Sequence, residues 1–171
     1  MKRLLGFAAS ITAALLLALP ASIAPAQALP AWRTTNSSYT SAVHTTRLIT
    51  DLRYATHPGY DRVVIDLQGR IPSWKATYET RFFRDGSGAP VPMRGGLQLV
   101  LMNSAAHGPA GNSVYDGPRM ARPGFDTLKA VALTGDFEGY VTFAFGLDPQ
   151  HSAYRIFRLH DPQRLVIDFK H

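Results

Sequence analysis

Two short stretches of the chain carry the same charged and apolar residues in the same order. Asp61-Arg62-Val63-Val64-Ile65-Asp66-Leu67-Gln68 and Gln163-Arg164-Leu165-Val166-Ile167-Asp168-Phe169-Lys170 agree at Arg, Val, Ile and Asp. A guanidinium group grips carboxylates, phosphates and sugar hydroxyls through a planar fork of N–H donors, and a carboxylate accepts hydrogen bonds from sugar hydroxyls and amides. Arg62, Asp66, Arg164 and Asp168 are therefore candidate ligand-binding residues. Alternation puts Val63, Ile65 and Leu67, or Leu165, Ile167 and Phe169, on one face of a strand. The opposite face holds the arginine and the aspartate about 13 Å apart. Antiparallel pairing in register sets Arg62 opposite Asp168 and Arg164 opposite Asp66, whereas parallel pairing sets like charges side by side at an energetic cost. The four charges then either decorate a sheet, each exposed pair contributing less than about 1 kcal/mol, or offer a symmetric polar face to a ligand.

Other residues capable of contact sit in turns and in one long connection. Tyr60 and Tyr140 lie beside Gly59 and Gly139 and are candidates for exposed aromatic contacts. Residues 104–124 are rich in Gly and Pro and carry His107, Tyr115, Asp116, Arg119 and Arg122. A connection of that length is usually a functional flap or a floppy crossover. The expectation is a floppy crossover, with Arg119 and Arg122 as its ligand-facing candidates. Trp74 and Tyr78 could stack on sugars, but their alternation with Lys75 and Glu79 places them in the core.

Catalytic chemistry has little support. Gly-x-Ser-x-Gly, His-Glu-x-x-His, a P-loop and a dinucleotide fingerprint are all missing from the sequence. The six histidines, His44, His57, His107, His151, His160 and His171, have no ligand partner at short metal-site spacing. No acid/base pair is marked out by spacing. The expectation is a protein without catalytic residues, metal or cofactor.

The elements that must position these residues read as strands. From about Arg47 onward the hydrophobic pattern alternates with period two and is punctuated by turn residues, with no helical period sustained over three turns. Residues 49–54, 61–68, 74–82, 97–102, 130–133, 141–147, 154–159 and 163–170 give about eight strands. In 141–147, Val141, Phe143, Phe145 and Leu147 share one face, so the other face is expected to be wet. Asp85-Gly86-Ser87-Gly88 turns the chain back after Trp74 to form a hairpin. The fold class is all-β, a sandwich of two antiparallel sheets with internal pseudo-symmetry.

The chain has 171 residues, and the first 28 read as a removable signal segment. Lys2 and Arg3 form its basic start, residues 4–19 its apolar stretch, and Ala26-Gln27-Ala28 its cleavage site. Residues 29–40, rich in Pro, Ala, Ser and Thr, are expected to be a flexible leader, and residues 41–171 the folded domain. The mature chain has no apolar run long enough to span a bilayer. The sequence also has no cysteine, which excludes disulfides and a lipidated cysteine. Formal charge is +6, of which Lys2 and Arg3 carry two, and most of the rest is arginine. The excess fits an anionic envelope partner or solubility alone, and no nucleic-acid module is visible.

At the repeated strands the chain resembles a known family. Arg62-Val63-Val64-Ile65-Asp66 followed by Arg164-Leu165-Val166-Ile167-Asp168 is similar to the amidase N-terminal (AMIN) domain. A closer resemblance, to the AMIN-like domain of secreted bacterial proteins, runs through Asp51-Leu52-Arg53, His57-Pro58-Gly59-Tyr60-Asp61-Arg62, Asp85-Gly86-Ser87-Gly88, Phe137-Glu138-Gly139, Gly146-Leu147-Asp148 and Asp161-Pro162. It covers about Arg47 to His171, with Pro72-Ser73-Trp74 standing where Pro-Gly-aromatic is expected. The resemblance implies a β-sandwich of two related sheets that acts as a targeting module in the cell envelope, peptidoglycan being the ligand attributed to AMIN domains. AMIN modules usually accompany an amidase or a secretion pore, and with nothing after His171 this one is expected to act by binding alone. The reading is a secreted, non-catalytic module that binds an anionic cell-wall glycan. The alternative is a protein-interaction module that localises or inhibits an envelope enzyme.

Overall fold

The structure is a computed structural model and describes residues 28–42 and 44–171. The expected signal segment lies outside the described residues except for Ala28. Eleven strands form among the described residues: β1 (Ser37–Tyr39), β2 (Arg47–His57), β3 (Tyr60–Gln68), β4 (Trp74–Glu79), β5 (Gly96–Met102), β6 (Ser104–Ala105), β7 (Met120–Ala121), β8 (Leu128–Phe137), β9 (Tyr140–Leu147), β10 (Tyr154–Leu159) and β11 (Arg164–Lys170). No helix occurs among the described residues. A six-stranded sheet runs β1-β4-β5-β9-β8-β7 and a five-stranded sheet runs β10-β11-β3-β2-β6. All eight expected strands are present. The three further ones, β1, β6 and β7, have two or three residues each, too few for alternation to register.

Both sheets are built from two hairpins set back to back. In the five-stranded sheet β2–β3 and β10–β11 meet along β3 and β11, with Val64 opposite Val166 at the centre. In the other sheet β4–β5 and β8–β9 meet along β5 and β9, with Leu99 opposite Phe143. The turns that close β2–β3 and β8–β9 each use a glycine with positive φ, Gly59 at +84° and Gly139 at +80°. A side chain is strained in that conformation.

Apolar faces of the two sheets close one core. Ile49, Val63, Ile65, Leu165, Ile167 and Phe169 from one sheet meet Leu97, Leu99, Leu101, Val141, Phe143 and Phe145 from the other. The Phe145 and Phe169 rings lie 5.5 Å apart. Each such side chain contributes about 1.5–3 kcal/mol on burial.

Three expectations need correction. The second face of β9 is not wet, because Ala144 and its neighbour Ala132 are covered by Phe82 and Val91, which makes a smaller core outside the sheet. The expected flexible leader lies on the domain. Arg33 exchanges both backbone hydrogen bonds with Tyr154 at 2.9 Å, and Ser37–Tyr39 pairs with β4 as an edge strand. Its composition shows no period because only isolated residues of it are bonded. Residues 104–124 are not a floppy crossover either. Ser104–Ala105 pairs in parallel with β2, Tyr115 is buried in the core, and Met120–Ala121 pairs with β8. The segment is anchored at three points, with turns between them.

Candidate ligand-binding face

The central pair of strands fixes where the four repeated charges go. β3 and β11 are antiparallel and in the register that sets Arg62 opposite Asp168 and Arg164 opposite Asp66. Only the first couple forms an ion pair. Arg62 Nε donates to Asp168 Oδ1 at 2.6 Å and its Nη2 donates to Oδ2 at 2.9 Å. Arg155 on β10, directly across from Asp168, donates through Nε to Oδ2 at 2.8 Å. The Asp168 side chain, 0% exposed, is thus shared by two arginines whose side chains are 25% and 12% exposed. The hydrogen bond to Asp168 holds the Arg62 pKa above its ordinary range, against the opposing effect of burial.

The second couple is broken. Asp66 is taken by Arg53 of β2 at 2.6 Å, near the solvent, while Arg164 Nε reaches only the Pro162 carbonyl, at 3.3 Å. The local symmetry of the backbone therefore carries an asymmetric charge pattern. A buried triad marks one end of the strand pair and an exposed Arg–Asp pair the other.

Aromatic rings close around the triad. The Arg62 guanidinium carbon lies 5.0 Å from the Tyr60 ring centre and 5.3 Å from that of Phe157. The Arg155 guanidinium carbon lies 4.3 Å from the Trp32 ring centre and 5.4 Å from that of Tyr60. His57 stacks on Tyr60 at 4.9 Å with an 18° tilt. Cations over ring faces are stabilised electrostatically, by about 0.5–2 kcal/mol each. Sequence reasoning missed Trp32, Phe157 and Arg155. The alternation of Tyr154–Leu159 places Arg155 and Phe157 on one face, which was a usable signal, but nothing in residues 29–40 ties Trp32 to β10.

The other candidates lie elsewhere. The turn carrying Tyr140 packs beside Ser104, whose N–H reaches the Gly139 carbonyl at 2.9 Å, and so lies near the start of β2, whereas Tyr60 follows its end. Tyr60 and Tyr140 are at opposite ends of the sandwich. Tyr140 is 49% exposed and its neighbour Phe137 66%. Arg119 borders a cleft of about 420 Å³ between residues 84–87 and 133–137, and it donates to Ser113 Oγ at 3.4 Å. Arg122 donates to the Pro92 carbonyl. Beside this cleft His107 Nδ1 lies 2.8 Å from Asp136. Among the described residues no group of three or more His, Asp and Glu is placed to hold a metal ion.

The geometry offers a cluster of aromatic rings and guanidinium groups, of net positive charge, at one end of β3 and β11, with the Trp32 and Tyr60 rings tilted 51° to one another. A surface of that kind stacks on planar or sugar-ring faces and attracts carboxylates. A family profile described as AMIN-like domain matches residues 47–171. Neither a curated protein nor a solved structure matches the chain.

Proposed function

The chain belongs to the AMIN-like domain family, and from that premise we propose that it is a secreted, non-catalytic module that binds an anionic cell-wall glycan, with peptidoglycan the foremost ligand. The family points to a cell-envelope role. The observation that supports a glycan is the aromatic surface over the triad of Arg62, Arg155 and Asp168. Two cations share one anion, so the patch keeps a net positive charge, and Tyr60, Trp32 and His57 give it the flat faces that sugar rings stack on.

Arg62 acts here as a support that fixes Tyr60 and Phe157, because its fork is occupied by Asp168. Stacking is carried by the rings, and the residual charge adds long-range attraction. The test is sedimentation with purified, protein-free cell wall. The mature chain is expected to co-sediment, and Tyr60→Ala with Trp32→Ala to lower the bound fraction several-fold. Raising ionic strength from low to physiological shortens the Debye length from about 30 Å to about 8 Å and is expected to weaken binding as well. A folded double variant that sediments like the unmodified chain removes this face from the reading.

A further inference from the structure

Among the described residues the two sheets end on four terminal strands, of which one is long. β1, β6 and β7, two or three residues each, are the other terminal strands of the sheets, while β10 offers six residues at the fourth edge. Arg33 covers only its first residue, taking both backbone hydrogen bonds of Tyr154. Alternation along an antiparallel strand then turns the N–H and C=O of Ile156 and Arg158 to the same open side. Neither residue's backbone groups have a hydrogen-bond partner on that side among the described residues. Residues 28–30 stand off from residues 156–160 across a gap of about 210 Å³. Open edges of this kind template the addition of another strand.

A cleft of about 240 Å³ runs beside that edge, between β10 and β1. Arg33 and Arg158 flank it, and Arg158 lies 4.5 Å over the Tyr39 ring. A neighbouring hollow adds Arg70. Among the described residues, no Asp or Glu lines the gap, the cleft or the hollow. Trp74 also lines the cleft, and its indole N–H is buried without an acceptor among those residues. The open backbone and the cationic walls call for the same chemistry.

We propose that the open edge of β10, with the cleft beside it, receives an extended acidic segment of a partner protein as an added strand. The peptide backbone pairs with Ile156 and Arg158, whose outward groups recur at about 6.7 Å, the two-residue repeat of a strand. Acidic side chains of the segment face Arg33, Arg70 and Arg158. Side chains alone could attract an anionic glycan, but the unpaired backbone ladder fits a peptide. The residues that pair with and attract the segment are apart from those that stack on glycan, Phe157 bordering both, and the test contains no sugar in the binding arm, so the two stand or fall separately.

The test titrates the mature chain with fluorescent peptides of about ten residues that alternate Glu with Val, Thr or Tyr. The controls replace Glu by Lys, or N-methylate alternate backbone amides. Acidic peptides are expected to bind and to shift and protect the Ile156 and Arg158 amides in nitrogen-15 spectra, with both controls roughly tenfold weaker or worse. Arg158→Glu is expected to abolish the preference for acid while keeping the fold. Ile156→Pro, which removes an outward N–H at a sheet edge where proline is tolerated, is expected to weaken binding by about tenfold. Equal binding by the Lys or N-methylated peptides overturns the proposal. So does full binding to either variant, or no binding of the acidic peptides at millimolar concentration. Soluble peptidoglycan fragments that shift the Ile156 and Arg158 amides where the peptides do not would assign the edge to glycan instead.

Discussion

At the residue scale, the four repeated charges separate into two populations that differ in burial and therefore in energy. Asp168 is fully buried and holds two guanidinium groups, so its removal strands two partly buried cations. Asp168→Asn is expected to cost about 3–5 kcal/mol, the range for breaking a buried pair. Arg62→Gln leaves Arg155 on the carboxylate and is expected to cost about 1.5–3 kcal/mol, the range for a hydrogen bond to a charged group. Arg164→Gln touches only a long contact to the Pro162 carbonyl and is expected to change stability by less than about 0.5 kcal/mol. Urea unfolding of the three variants gives the ranking, and an Arg164→Gln cost equal to that of Arg62→Gln would mean that the symmetric pairing operates after all. The register itself was legible in the sequence, because like charges oppose parallel pairing. The swap of partners was not. It depends on Arg53 and Arg155, which reach Asp66 and Asp168 from outer strands whose position beside β3 and β11 no spacing within either repeat reveals.

At the scale of elements, the long strands were legible and the short ones were not, for one physical reason. A strand such as β9 or β11 announces itself by four or more alternations, while β1 and β6 are held by two or three backbone pairs each and need no side-chain pattern. Residues 28–42 are held in this second way. Their apolar residues follow no strand period, yet Arg33 is bonded to Tyr154, Trp32 covers Arg155, and Ser37 Oγ lies 2.7 Å from the Tyr154 hydroxyl. The family match begins at Arg47, so this strap lies ahead of the matched region and supplies Trp32 to the candidate face. A chain beginning at residue 41 is expected to fold through the intact sandwich core but to lose stability. Trp32→Ala alone is expected to cost about 1–2 kcal/mol, from lost aromatic burial and one cation–ring contact. The urea midpoint measures both, and a truncated chain as stable as the full one would show the strap to be a passenger. The candidate site was half legible on the same grounds: Tyr60, Arg62 and Asp168 come from patterned strands, and Trp32 comes from the strap.

At the scale of the whole molecule, the half-buried Tyr78 and the buried Tyr154 tie the sheets and the strap together along the side that carries the open β10 edge. The Tyr78 hydroxyl on β4 donates to the Ser152 carbonyl ahead of β10 at 2.7 Å. The Tyr154 hydroxyl on β10 donates to the Thr35 carbonyl of the strap at 2.9 Å. The two rings meet edge to face at 5.6 Å. Burial, chiefly, pushes both phenol pKa values above their ordinary value, as it does that of Tyr115 in the anchored 104–124 segment. The folded chain therefore keeps these protons to higher pH than the unfolded chain does. Their contribution is fully present below about pH 10, where both states are protonated, and is lost as pH rises through the folded values, because only the unfolded state gains by releasing protons there. Urea midpoints are expected to stay level up to about pH 9.5 and to fall steadily above pH 10. Phenolate absorbance is expected to lag behind that of free tyrosine for the buried rings. Tyr78→Phe combined with Tyr154→Phe is expected to lower stability at neutral pH, by leaving the Ser152 and Thr35 carbonyls without their donors, and to flatten the alkaline fall. A midpoint that declines above pH 10 as steeply in the double variant as in the unmodified chain would place the alkaline weakness elsewhere. If the fall does flatten, the two phenols that join β4, β10 and the strap carry the alkaline weakness.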